Sequence, residues 1–344
     1  TRDLPQAWIT GLGVVLPGVV GRDALAHPHT PRTAPPTAGP VDPDDYLHLL
    51  TARRVRRLSD YVKLTLAAAE LALRDAGLDA EHRDPFTRDC AAVLGTAHGS
   101  THFSYDYYRG LVDHGLATAN PVLFAEGVPN AGAAHLSMSL NIQGPCQSII
   151  GSRTAGLDAL RLAALRLAEG QWPRALVCGG EEHDPLVERC YAELGLPLTT
   201  AAAAVTFVLE TPDAARARGA RPLAVVEAGT QIHFNHRPGR GVRGIRRALE
   251  HEAAAGVQTL LRSANGTWTD RLEAAALRNT PFAEEPADLG LPHLAECFSA
   301  APLAALAARL APPPPARPER LSVLATDFNG LTSLARIRVG GDLQ

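Results

Sequence analysis

The chain has 344 residues, 46% of them hydrophobic, and a formal net charge of −3. That is ample apolar material for one large domain or two fused halves. The small charge leaves no global field to recruit nucleic acid or an anionic membrane surface.

The five cysteines, Cys90, Cys146, Cys178, Cys190 and Cys297, are odd in number, widely spaced and form no CxxC pair. They imply reduced thiols in a cytoplasmic protein, with neither a disulfide framework nor a zinc site. No apolar run approaches the roughly 18 residues of a membrane helix. The start of the sequence shows no signal-peptide pattern.

In chain order, "AWITGLGVVLP" (Ala7 to Pro17) reads as a strand ending in a Gly/Pro turn. "GLGVVLPG" lacks the third glycine of a dinucleotide fingerprint and is better read as that turn. Pro28 to Pro43 holds six prolines and reads as a surface loop. Tyr61 to Leu78 has helical apolar spacing, with Gly77 as a C-terminal stop. "CAAVLGT" and "CQSII" read as short buried strands. "GLDALRLAALRLAEG" is a helix apolar on nearly all sides and therefore central. "RALVCGG", "AAVTFVLE", "LAVVEAG" and "VQTLLRSA" are further strands. "TDRLEAAALRN" and "LAECFSAAPLAALAARL" are helices, and "LSVLATDF" and "SLARIRV" close the chain as strands after a proline-rich connector. The alternation argues α/β with layered sheets. The second half begins near Arg221, dividing the chain into residues 1–220 and 221–344.

One stretch carries the functional question. "GPCQSIIGSRTAGLDAL" (Gly144 to Leu160) has the form of a strand, a tight turn and a helix start. Such a turn presents a nucleophile at the positive end of the helix. Here the turn holds Arg153. An arginine has no free lone pair and stays protonated, so it cannot attack.

The chain resembles the β-ketoacyl synthases of the thiolase-like superfamily. The resemblance rests on "ITGLGVVLPG", "VPNAGAAHLSMSLNIQGP", "VLETPDAARARGARPLAVVEAG" and "SANGTWTDRLEAAAL", in order and at family spacing from about Ala7 to Val339. It implies a five-layer α-β-α-β-α fold built from two similar halves. It also implies a dimer in which Cys146, Gln147, Ser148, Ile149 and Ile150 pair across a two-fold axis. The family condenses acyl chains with one cysteine and two histidines, and no cofactor. Position by position, this chain carries Arg153 at the nucleophile, Asn265 at the first histidine and Glu296 at the second, with Cys297 as the one-residue alternative register. The long loop usual after Gly180 is nearly absent.

All three roles are damaged together. Asn265 cannot exchange a proton near neutral pH, and an ionised Glu296 would repel a developing enolate. A buried arginine needs a partner, because an uncompensated buried charge costs several kcal/mol. The expectation is an Arg153–Glu296 pair filling the site, with Glu181 and Glu182 as the next candidate partners. The alternative is that Arg153 reaches outward to solvent.

Within the family this combination resembles a chain length factor, the inactive partner of a catalytic ketosynthase in type II polyketide synthases. The resemblance implies a heterodimer with a catalytic ketosynthase. It implies only indirect dealings with an acyl carrier protein and its phosphopantetheine-linked chain. By the same resemblance Phe103, Tyr105, Tyr107 and Tyr108, in "HFSYDYY", lie at the tunnel and limit product length. Their other reading is ordinary core and interface packing. Two rivals stand beside this one. The first is a divergent acyl-transferring or condensing enzyme using Ser152, Cys146 or Cys297. The second is a homodimeric binding or structural protein of the same fold.

Other features are weaker. "RPGRGVRGIRR" holds five arginines in eleven residues and reads as a solvated face or a carrier-protein contact. "ARRVRR" (Ala52 to Arg57) reads as structural or interfacial. His98 with His102, and "CGGEEHD" (Cys178 to Asp184), lack a third metal ligand at a convincing spacing, so no metal is expected.

Overall fold

The computed structural model describes residues 6–26, 35–51, 55–79, 83–234, 239–263, 266–283, 293–341 and 343. The strands are β1 (Ala7–Leu16), β2 (Val19–Val20), β3 (Cys90–Thr96), β4 (Cys146–Ile150), β5 (Arg174–Glu181), β6 (Ala203–Glu210), β7 (Ala224–His233), β8 (Thr259–Arg262), β9 (Glu319–Thr326) and β10 (Leu331–Val339). The longer helices are α1 (Asp60–Asp75), α2 (Thr101–His114), α3 (Pro121–Gly127), α4 (Ala131–Leu140), α5 (Ala155–Ala168), α6 (Pro185–Glu193), α7 (Arg240–Ala254), α8 (Trp268–Leu277) and α9 (Ala300–Leu310).

The strands form one hydrogen-bonded path in the order β4-β3-β5-β6-β1-β7-β10-β9-β8, with β2 paired to β1 off the path. β4, β3 and β5 run parallel, as do β8 and β9. The two groups of strands meet where Ala7, Trp8 and Ile9 pair antiparallel with Val226, Val225 and Ala224.

Helices α1 and α4 cover the outer face of the first group, burying Tyr61, Val62, Leu73 and Leu136 against Leu94, Leu176 and Val208. Helices α7 and α8 cover the outer face of the second, burying Ile245, Leu249 and Ala276 against Leu260, Leu324 and Leu334. Between the groups lie α5 and α9. Their Leu157, Leu160, Leu303 and Leu306 share the largest core with Val177 and Phe207 on one side and Leu321, Val323 and Ile337 on the other. This is the five-layer, thiolase-like α-β-α-β-α arrangement. The all-round apolar character of α5 follows from its central place.

Glycines set the tightest approaches. A Cβ at Gly13 would lie 2.0 Å from the Ala68 carbonyl oxygen, and one at Gly11 would lie 2.5 Å from that of Ala72. The "GLG" of β1 therefore lets α1 sit against the strand. The strand ends, as expected, in a Gly/Pro turn at Pro17 and Gly18, where Gly18 takes a φ of 74°. In the central layer, a Cβ on Gly156 of α5 would meet the Ser299 carbonyl oxygen at 2.1 Å.

Two expected elements differ from the structure. β4 is not buried: it is an edge strand paired only with β3, and Cys146, Gln147 and Ile150 are exposed. An edge strand has a neighbour on one side only, so apolar composition alone does not report its burial. The helix read across Leu294 to Leu310 begins only at Ala300. The preceding backbone is held extended, with the Glu296 N–H donating to the Thr199 carbonyl at 3.0 Å and the Ala201 N–H to the Glu296 carbonyl at 2.9 Å. Phe298 then takes a positive φ of 41°.

Candidate functional site

The turn between β4 and α5 is pinned from both ends. Gly151, with φ of 89°, donates its N–H to the Thr96 carbonyl at 3.0 Å. Thr154 Oγ1 lies 2.9 Å from Ser152 Oγ and donates to Asp158 Oδ2 at 2.6 Å. Ser333 Oγ, from β10, donates to Asp158 Oδ1 at 2.6 Å, so the helix start is tied to the second group of strands.

Held in this way, Arg153 points inward and its side chain is only 1% exposed. Its Nε donates to Glu296 Oε2 at 2.9 Å, and the Glu296 side chain is equally buried. Nη1 donates to the Thr326 carbonyl at 3.3 Å, and Nη2 to the Ser263 carbonyl. The Arg153 backbone N–H donates to Asp327 Oδ1 at 3.1 Å. Glu296 is completed by the Phe298 N–H, which donates to its Oε1 at 2.6 Å. The expected partner is thus the one found, and the solvent-facing alternative is not.

Burial works against the Arg153 charge, but the carboxylates of Glu296 and, next, Glu273 outweigh it and hold the guanidinium above its ordinary pKa. Glu273 is itself pushed upward by burial, against the pull of Arg262 and Arg153. Arg262 Nε donates to Glu273 Oε2 at 3.2 Å. The result is a charged set of two arginines and several acidic groups, buried at Arg153, Glu296 and Glu273 and partly open at Arg262, in which the side-chain hydrogen bonds of Arg153 go to a carboxylate and two carbonyls. Asn265 lies outside the described residues.

The other proposed partners are engaged elsewhere. Glu181 accepts from Ala97 N–H at 2.5 Å, His98 N–H at 3.3 Å, Thr96 Oγ1 at 3.2 Å and Ser299 Oγ at 2.5 Å. Glu182 accepts from Tyr61 N–H at 3.1 Å and His102 N–H at 3.2 Å, so one carboxyl meets the first turns of both α1 and α2. Burial raises its pKa to about 7.

Sequence reading missed an aromatic group beside this site. The Phe298 ring stands edge-on to His98 at 4.4 Å and stacks on Tyr191 at 5.4 Å, and Tyr191 lies 5.7 Å from Phe328. His98 Nε2 lies 3.2 Å from the Tyr191 hydroxyl. Burial, then the carboxylates of Asp327, Glu296 and Glu181, push the pKa of the Tyr191 hydroxyl upward. These aromatics are isolated in sequence and produce no local pattern to detect.

The displaced-nucleophile candidates have poor settings. Cys297 is buried, and burial, then the Glu296 carboxylate, push its thiol upward. Ser152 is hydrogen-bonded to Thr154, with no described histidine in contact. Cys146 sits on the exposed edge and donates to the Ala133 carbonyl at 3.0 Å. Among the described residues no three His, Cys, Asp or Glu groups cluster as metal ligands, and no helix is long and apolar enough to cross a membrane.

The four aromatics of "HFSYDYY" lie on α2, which buries none of its residues in this chain. Phe103 and Tyr107 are half-buried, the Tyr107 ring being 5.4 Å from that of Phe124, whereas Tyr105 and Tyr108 are exposed. Phe124, Met138 and Ile150 are exposed large hydrophobics on α3, α4 and β4. On α7, Arg246 donates to the Ala275 and Ala276 carbonyls, while Arg240, Arg243 and Arg247 are exposed. Arg237 of that basic run and residues 52–54 of "ARRVRR" lie outside the described residues.

With this geometry in place, comparison with known proteins sets the class. The family profile "Beta-ketoacyl synthase, N-terminal domain" matches residues 21–202. The chain belongs to the β-ketoacyl synthase family. It is 36% identical over 201 residues to a Streptomyces halstedii protein described as polyketide β-ketoacyl synthase 1, covering 52% of this chain but only 46% of that relative's length. It is 27% identical over 326 residues to the tetracenomycin polyketide synthase ketoacyl synthase alpha subunit of Streptomyces glaucescens, covering 79% of this chain and 75% of that one. Its fold matches the ishigamide ketosynthase/chain length factor with a TM-score of 0.79 at 22% identity, over 98% of this chain and all of that one. A second match, with a TM-score of 0.78 at 16% identity over 97% of this chain and 99% of that one, is AntDE:AntF, a type II PKS acyl-carrier protein in complex with its ketosynthase bound to the hexaketide.

Proposed function

We propose that this chain is a non-catalytic subunit of the chain-length-factor type in a type II polyketide synthase. It pairs with a catalytic ketosynthase and supplies part of the wall of the tunnel in which the acyl chain grows. The partner holds the cysteine and histidines, and the carrier protein's phosphopantetheine arm delivers the chain to the partner. The two halves of the chain divide near residue 221.

The observation that carries this reading is the buried Arg153–Glu296 pair at the turn where the family presents its nucleophile. An arginine bonded to a carboxylate and two carbonyls leaves neither a nucleophile nor a proton-exchanging group there. The exposed edge of β4 and the uncovered apolar side chains of α2, α3 and α4 support an association face. The polyketide synthases among the relatives support the substrate class.

The test is co-expression with a catalytic type II polyketide ketosynthase. The expected outcome is a stable one-to-one complex, with intact mass showing acylation only on the partner after incubation with acyl thioesters. Acylation of this chain alone, or a homodimer indifferent to the partner, would overturn the proposal.

A further inference from the structure

We infer that Asp327 is a blocking residue that keeps acyl groups out of this site independently of the missing nucleophile. The inference rests on the reading of the site as non-catalytic and adds a cause that the arginine does not supply.

A nucleophile presented from a turn depends on two things besides its own atom. A nearby positive helix end must lower its pKa. Backbone N–H groups, commonly including its own, must be free to bind the oxygen that becomes negative as the carbonyl is attacked. At residue 153 that N–H is already used, donating to Asp327 Oδ1 at 3.1 Å.

Asp327 is buried on a pinned backbone. It is 7% exposed and stands in the tight turn between β9 and β10. Its own N–H donates to the Leu331 carbonyl at 2.8 Å, and the Gly330 N–H donates to the Asp327 carbonyl at 3.1 Å. A buried carboxylate here takes the amide, repels an incoming oxyanion and raises the pKa of any thiol placed beside it. Restoring a cysteine would therefore restore the attacking atom but not the setting it needs.

The experiment compares R153C/E296Q with R153C/E296Q/D327A. E296Q removes the buried charge that R153C would otherwise leave unpaired. Each protein is incubated with the N-acetylcysteamine thioester of acetate. A productive step transfers the acetyl group to the cysteine sulfur, breaks the old carbon–sulfur bond and releases the carrier thiol with a proton. Alkylation by iodoacetamide across pH reports the thiol pKa separately. With D327A, alkylation at neutral pH is expected to speed up about tenfold, a shift of one pKa unit, and acetylation to become detectable by intact mass. Equal rates with and without Asp327 overturn the inference. Acetylation of the unaltered chain overturns the proposed function instead.

If the cysteine variants do not fold, hydrogen exchange on the single variant D327A decides. Faster exchange in the peptide containing Arg153 is expected, and unchanged exchange overturns the inference.

Discussion

Arg153 Nε lies 2.9 Å from Glu296 Oε2, with both side chains removed from solvent. Breaking one side of such a pair leaves a charge stranded in the core. R153A or E296A should each cost about 3–5 kcal/mol of stability. R153M/E296L should recover much of that loss, short of the contribution of the two carbonyls that Arg153 also satisfies. Urea unfolding of the three variants checks this, and a double variant no better than the singles would count against it.

Gly156 faces the Ser299 carbonyl oxygen at a distance that no methyl group can share. Gly156→Ala must therefore push α5 and the Ser299 segment apart. A loss of about 1–3 kcal/mol or more is expected, read as a lowered Tm. Unchanged stability would mean the two segments can separate freely.

Ile150 is exposed at the open edge of β4. Ile150→Lys puts a charge into the proposed association face while leaving this chain's own core untouched. Binding to the ketosynthase should weaken at least about tenfold, or roughly 1.4 kcal/mol. Titration of the purified pair measures it, with the Tm of the isolated chain as the control.

Phe103 and Tyr107 are half-buried on α2. If they limit the tunnel, Phe103→Ala or Tyr107→Ala in a reconstituted pair should shift products toward longer chains. Product mass spectra decide, and an unaltered length distribution removes these residues from that role.

Glu182 has its pKa raised to about 7, chiefly by burial. An acid that binds its proton more tightly when folded favours the fold at low pH. Its contribution is fully present below the unfolded value near 4.3 and is lost as pH rises through about 7. E182Q should therefore flatten the fall in stability between pH 5 and 8, by roughly 1–3 kcal/mol. Unfolding series at several pH values test the slope, since the absolute stability also changes when one of two amide contacts is altered.

Much of this arrangement was legible in the residues themselves. The central helix α5 was marked by its lack of a polar face, and the charge of Arg153 demanded a nearby carboxylate. Glu296 was the expected one, although the helix expected around it starts four residues later. The backbone there is claimed by residues 199 and 201, distant contacts that local spacing does not encode. The exposure of β4 depends on which strand ends the sheet, and that is a property of topology. Asp327 and the Tyr191–Phe298–Phe328 group come together only through the fold, from positions that show no pattern in the chain.

The side-chain and backbone acceptors of Arg153 come from Ser263, Glu296, Thr326 and Asp327. The nearest of these in sequence is 110 residues downstream. During synthesis the arginine emerges well before any group that neutralises it. Strands β3 to β6 and their outer helices α1 and α4 can collapse first, but the carboxylates that act on Arg153, those of Glu273 and Glu296, follow it by more than a hundred residues. Closure of the core around Arg153 is therefore a late step, and fragments ending before Asp327 should leave the turn open to water.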